Sequence, residues 1–221
     1  MKTAGIIGGI GPESTIEYYR FIIDAYRRET ADGSYPSIII NSIDMKRMLD
    51  EIAAGSFDET ISFLSNEIDR LVAAGADFAA IASNTPHIVF AELEQRASIP
   101  LVSIVEAACR TASTMGLSKV GLMGTKYTMN GGFYQKVFHR VGIEVVVSSE
   151  AEQQYIHEKY MQELVNGLLL DKTRARLTEI ATQMKERNGI QGVILGGTEL
   201  PLILRDVHEI GIPYLIQPKY R

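Results

Sequence analysis

A single cysteine, Cys109, occurs among 221 residues. An internal disulfide is therefore impossible, and the paired thiols and histidines of a structural metal site are missing. No apolar run approaches the roughly 20 residues that span a bilayer. The start, Met1-Lys2-Thr3-Ala4-Gly5, leads straight into a strand pattern without the apolar region and small-residue cleavage site of a secretory signal. Basic clusters are lacking as well. With a net charge of −5 and no acidic block, the chain has no electrostatic footprint for nucleic acid. These absences leave a cytoplasmic, soluble protein with neither a membrane nor a nucleic-acid partner as the expectation. What is present, 46% hydrophobic and 22% charged residues, suffices for a sizeable core. The length fits one large domain or two modest ones.

Short apolar runs alternate with amphipathic stretches, the pattern of βαβ units around a parallel sheet. Expected strands are Thr3–Ile7, Ser37–Ile40, Phe78–Ala82, Leu101–Ile104, Val120–Met123, Glu144–Val147 and Gly192–Leu195. Expected helices are Ser14–Arg27, Phe57–Ala74, Val105–Met115, Gly131–Arg140, Ala151–Asn166 and Lys172–Arg187. Within the second of these, Phe57, Ile61, Leu64, Ile68, Leu71 and Val72 recur at helical spacing, and Gly75 follows as a C-terminal stop.

A weak internal repeat accompanies the alternation. Gly5-Ile6-Ile7-Gly8 resembles Gly121-Leu122-Met123-Gly124, and each is followed by a polar turn and a helix with an aromatic pair. Gly8 and Ser83 are 75 residues apart, and Gly124 and Gly197 are 73 apart. The expected architecture is α/β, with two pseudo-symmetric domains, each a parallel sheet flanked by helices, and a cleft between them. The expected boundaries are 1–99 and 100–207, with 208–221 returning to the first domain. Open parallel sheets bind ligands at the carboxyl ends of their strands, which makes the turns there the candidate site.

Three turns and two side chains carry most of the chemistry. Gly8-Gly9-Ile10-Gly11-Pro12 follows a strand and opens a helix, but the third glycine of a dinucleotide fingerprint is missing and Pro12 removes a donor. A turn presenting backbone N–H groups at Gly9 and Ile10 to a small carboxylate fits better. Ser83-Asn84-Thr85 and Gly197-Thr198-Glu199 close two equivalent strands, and both contain good capping residues as well as acceptable carboxylate donors. His87, four residues after Ser83, suggests either a base for its hydroxyl or a capping histidine. Arg47 offers a guanidinium for bidentate carboxylate recognition or a solvated surface charge. Cys109 lies among alanines and reads as a small buried residue.

The segments Ile6–Pro12, Ser83-Asn84-Thr85-Pro86-His87, Gly121–Thr125, Glu163–Gly167 and Leu195–Glu199 together resemble the aspartate/glutamate racemase family. The likeness covers essentially the whole chain. It implies an isomerase of amino-acid metabolism that works without pyridoxal phosphate or another cofactor, and a homodimer. The family sets one proton-transfer group on each side of the substrate α-carbon, and these are typically thiols. Here Ser83 and Gly197 occupy the two thiol positions. The resemblance further implies that Asn84, Thr85, Thr125 and Thr198 hold the α-carboxylate, and Arg47 the distal carboxylate of a substrate such as aspartate or glutamate. Lys159 is the nearest match to the family's substrate-binding lysine. Ser83 would act on one face, assisted by His87, with Glu199 or water on the other, where Gly197 leaves room. The alternative is a non-catalytic protein that binds small carboxylates on the same scaffold. The resemblance also implies a final helix beyond Leu215, which this sequence lacks.

Overall fold

A computed structural model describes residues 2–30, 32–204 and 206–216. The chain divides into two compact units that meet in sequence at Ile104 and Val105. In the first unit, β1 (Thr3–Gly8), β2 (Ser37–Ser42), β3 (Phe78–Ile81) and β4 (Leu101–Val102) form a parallel sheet in the order β2-β1-β3-β4. Its helices are α1 (Pro12–Glu29), α2 (Met45–Ala53), α3 (Phe57–Ala73) and α4 (Phe90–Arg96). The core of this unit joins Ile6, Ile7 and Ile81 of the sheet to Leu64, Ile68 and Leu71 of α3, all at most 1% exposed. That is the helical stripe read from the sequence, except that Phe57 at the helix start is exposed and Val72 is half-buried. Helix α3 ends at a left-handed Gly75 (φ +97°). Gly75 N–H donates to Val72 O and Ala76 N–H to Leu71 O, both at 2.9 Å, which satisfies two orphan carbonyls.

The second unit repeats the plan. Its helices are α5 (Ile104–Thr114), which begins on the last residue of the first unit, α6 (Lys126–Asn130), α7 (Phe133–His139), α8 (Glu150–Gln162), α9 (Asp171–Asn188) and α10 (Leu200–Leu204). The strands β5 (Lys119–Gly124), β6 (Glu144–Val147), β7 (Val193–Gly196) and β8 (Tyr214–Leu215) are parallel in the order β6-β5-β7-β8. Both sheets therefore read second-first-third-fourth, with β1 and β5 each flanked by the strand that follows and the strand after that.

Two expected boundaries are corrected. The divide at 99/100 falls one strand early, because β4 pairs with β3 and completes the first sheet. The described part of 208–221 does not return to the first unit. β8 pairs with β7, with Val193 opposite Tyr214 and Ile194 opposite Leu215, and both partners are buried there. The helix expected over 151–166 also stops sooner. It ends at Gln162, and a short 3-10 turn over Leu164–Asn166 runs into Gly167 at φ +74°. Among the described residues, no helix is long and apolar enough to cross a membrane.

Candidate functional site

In the first unit, the carboxyl edge of the sheet is built from the ends of β1 and β3. Their ladder closes at Ile7 and Ile81, and Ala82 N–H extends it by donating to Ile7 O at 2.9 Å. Ser83 is the next residue and is 6% exposed. Its hydroxyl makes no hydrogen bond with another described residue, while its carbonyl accepts from His87 Nδ1 at 2.9 Å. Asn84 and Thr85 follow, both buried, and Thr85 starts a 3-10 turn that Pro86 stiffens by fixing φ.

His87 is not a base for Ser83. Ile104 N–H can only donate, and it donates to His87 Nε2 at 3.3 Å, so the ring proton sits on Nδ1 and points at the Ser83 carbonyl. Both nitrogens are committed to backbone. The ring also stacks on Phe90 at 4.7 Å and 2°. Burial pushes the His87 pKa down to about 4, so the imidazole stays neutral and ties the turn to the start of α5.

Beside Ser83's strand, the glycine turn after β1 is tightly folded. A Cβ at Gly9 would lie 2.5 Å from Ser42 Oγ and 2.7 Å from Ile43 O, and φ is +80° there. Gly9 N–H already donates to Thr15 Oγ1 at 2.9 Å, so it is not directed at a ligand in this state. Ile10 is buried.

In the second unit, the equivalent edge is formed by the ends of β5 and β7. Thr125 follows β5 and caps α6, its side chain accepting from Thr128 N–H at 3.2 Å. Gly197, Thr198 and Glu199 follow β7. Gly197 does not leave room for water or for Glu199. A Cβ there would lie 2.4 Å from Cε2, 3.1 Å from Cζ and 3.2 Å from Cδ2 of Tyr160, so the aromatic ring of α8 fills the space. The Tyr160 hydroxyl donates to Glu199 Oε2 and accepts from Thr198 N–H at 3.1 Å, and it lies 3.2 Å from Thr198 Oγ1. Thr198 Oγ1 donates to the same carboxylate oxygen at 2.7 Å. Glu199 is 2% exposed, and burial raises its pKa despite these donors. Burial, then the adjoining carboxylate, raises Tyr160 well above the usual phenol range.

The two cationic candidates stand on helices and already have partners. Arg47 lies in α2, an element the sequence pattern did not announce, where Nε bonds Glu51 at 3.0 Å and the guanidinium lies 4.2 Å from the Phe63 ring centroid. Lys159 Nζ bonds Glu163 at 2.6 Å. Cys109 is buried in α5. Among the described residues, no three His, Cys, Asp or Glu side chains are grouped to hold a metal.

The family model for Asp/Glu/hydantoin racemases matches residues 7–218, nearly the whole of both units. The chain belongs to this family. An aspartate racemase homologue from Pyrococcus horikoshii is similar over 97% of this chain and 93% of its own, with 36% identity and a TM-score of 0.81. A candidate Asp/Glu racemase from Yersinia pestis is similar over the same shares, with 30% identity and a TM-score of 0.86. The broad-specificity amino-acid racemase RacX of Bacillus subtilis is 29% identical over 168 residues, 75% of this chain and 68% of RacX. Against the curated glutamate racemases it matches, the alignments span 35% to 55% of their length. The racemase family member described here thus has the two-sheet fold, with a serine and a glycine at the positions where the sequence resemblance sets thiols.

Tyr160 was not singled out by the sequence. The one available signal was Gly197 itself, since a glycine at a site position implies that something else occupies the side-chain volume.

Proposed function

We propose that this chain is a cofactor-independent amino-acid racemase acting on the α-carbon of aspartate, glutamate or a related small amino acid. The observation that carries the reading is the Ser83 turn. Ser83, 6% exposed, follows β3 at the position where the resemblance sets the family's first proton-transfer group, beside buried Asn84 and Thr85. The relatives' names, an aspartate racemase homologue, a glutamate racemase and a broad-specificity amino-acid racemase, support the substrate class. Asn84, Thr85, Thr125 and Thr198 hold the α-carboxylate in this reading. Arg47 takes the distal carboxylate after exchanging its contact with Glu51. The family's homodimer belongs to the same proposal and is checked by light scattering.

A hydroxyl is a poorer base than a thiol at neutral pH, and each general acid–base group contributes roughly 10²–10⁴-fold. Turnover well below that of a two-thiol racemase is therefore expected. The direct experiment is deuterium incorporation at Cα, followed by NMR in D₂O across L- and D-amino acids that include aspartate and glutamate. Exchange above the enzyme-free rate that is lost in Ser83→Ala supports the reading. Equal affinity of Arg47→Ala and the parent for dicarboxylic amino acids would refute the assigned pose.

A second reading is favoured by one observation, the aromatic ring lodged at Gly197. In that reading the chain binds small carboxylates without turning them over. Its signature is a ligand-dependent rise in melting temperature with no exchange from either enantiomer.

A further inference from the structure

We propose that Tyr160 and Glu199 together form the second acid–base group of this site, a phenol–carboxylate pair standing where the family's other thiol belongs. The inference rests on the racemase reading above and names the group that reading leaves open.

Three observations point to it. The ring of Tyr160 occupies the volume a side chain at 197 would take, with Cε2 and Cζ 2.4 and 3.1 Å from the position of its Cβ. The phenol oxygen is one bond beyond that Cζ, so a transferable proton is brought to the neighbourhood of the missing side chain. The oxygen is also held by two hydrogen bonds, donating to Glu199 Oε2 and accepting from Thr198 N–H, both supplied by the two residues after Gly197. A ring that served only as packing would need one such partner to satisfy its hydroxyl. Finally, Glu199 is a carboxylate buried to 2% exposure, and among the described residues its side-chain partners are two hydroxyls rather than a cation. A buried carboxylate so placed is costly as an anion and is ready to take a proton. Its raised pKa agrees with this.

Neither residue suffices alone. A phenol that gave up its proton would leave two adjacent buried anions, and a carboxylate behind the ring has no direct approach at 197. As a pair they balance. When the pair acts as base, the Cα–H bond breaks and an O–H bond forms on the Tyr160 oxygen. The proton previously on that oxygen moves to Glu199 Oε2, and the electron pair stays on the substrate carbanion. When the pair acts as acid, each bond change reverses: Glu199 returns its proton to Tyr160 as Tyr160 protonates the carbanion. Tyrosine is neutral before and after either step, and Glu199 alone changes charge. Thr198, donating to both oxygens, fixes the distance between them and is a positioning residue.

The test compares the parent, Tyr160→Phe and Glu199→Gln in D₂O, starting from each enantiomer of aspartate and of glutamate. Deuterium at Cα and inversion, by chiral chromatography, are measured separately. Tyr160→Phe keeps the ring and removes the proton. Glu199→Gln keeps the shape and a hydrogen-bond acceptor but cannot carry the proton. Both are expected to lower inversion by about 100-fold or more. Exchange with retention should survive from the one enantiomer whose proton faces Ser83. A melting temperature like the parent's in Glu199→Gln separates this loss from misfolding. Inversion by Tyr160→Phe at the parental rate would show the ring to be a plug, and would sink the pair while leaving the racemase reading intact. Parental exchange of only one enantiomer, with no inversion, would sink the pair and the racemase reading together, leaving one-sided proton exchange. Absence of exchange from every substrate in the parent would overturn the racemase reading and the pair with it.

Discussion

At Gly197 an aromatic ring overlies the backbone where the resemblance sets a thiol. Gly197→Ala would place a methyl 2.4 Å from Cε2 of Tyr160, closer than real Cβ contacts come. Because the ring is anchored through its hydroxyl, it cannot swing aside without losing those bonds. A loss of about 1–3 kcal/mol is expected in urea unfolding, in line with other overpacked sites. The same substitution in Tyr160→Leu should cost measurably less, since contacting residues couple. His87 supplies a second expectation. Its pKa is about 4 when folded and near 6.5 when unfolded. Between those values the unfolded chain binds a proton that the folded chain refuses. The contribution from neutral His87 is therefore complete above pH 6.5 and is lost as pH falls toward 4, a swing of about 3 kcal/mol. Unfolding curves at pH 7.5, 5.5 and 4.5 should show a shallower decline in His87→Gln than in the parent. The placement of Ser83 and Gly197 just after their strands was legible because strand and turn signals bracket them. Tyr160 was not, because no local pattern reports which ring of a distant helix fills a vacancy. The committed nitrogens of His87 escaped for a similar reason: one partner, Ile104, lies beyond the reach of helical spacing.

Helix α8 shows how an element carries a site residue into place. Its start is fixed by a capping box in which Ser149 N–H donates to Glu152 Oε2, and Arg187 of α9 grips the same carboxylate through contacts of 2.8 and 2.9 Å. Two helices are thereby locked at the end opposite to Tyr160. Strand β8 plays a comparable part for β7. Only two residues long, it buries Tyr214 and Leu215 and covers the edge of the strand that delivers Gly197. Leu215→Ala is expected to cost about 2–5 kcal/mol. Hydrogen exchange should quicken in β5 and β7 and stay slow in β1 and β3. Equal loosening of both sheets would contradict the assignment of this segment to the second unit. Long helices such as α3 and α9 were readable from their apolar period. The short α2 and α6 were not, since nine and five residues give too few turns for a period to emerge. The Arg47–Glu51 contact lay in that gap, because Glu51 stands one turn along an unannounced helix.

For the whole molecule, the spacing of two glycine turns and two polar turns was enough to announce a repeated α/β plan, and both sheets have the same strand order. The segment holding β8 was expected in the first domain, whereas its two buried residues pair with β7. Pairing, not composition, decides between the two sheets. The thiol-free site has a consequence for conditions outside the reach of ordinary racemases. The one sulfhydryl in the chain is buried in α5, and burial pushes its pKa up, away from the reactive thiolate. Iodoacetamide or hydrogen peroxide, which disable catalysis by cysteine, should leave Cα exchange by this protein within about twofold of the untreated rate. Loss of exchange on alkylation would point back to Cys109. The proposed activity, once observed, would thus persist under oxidation that silences a catalytic thiol.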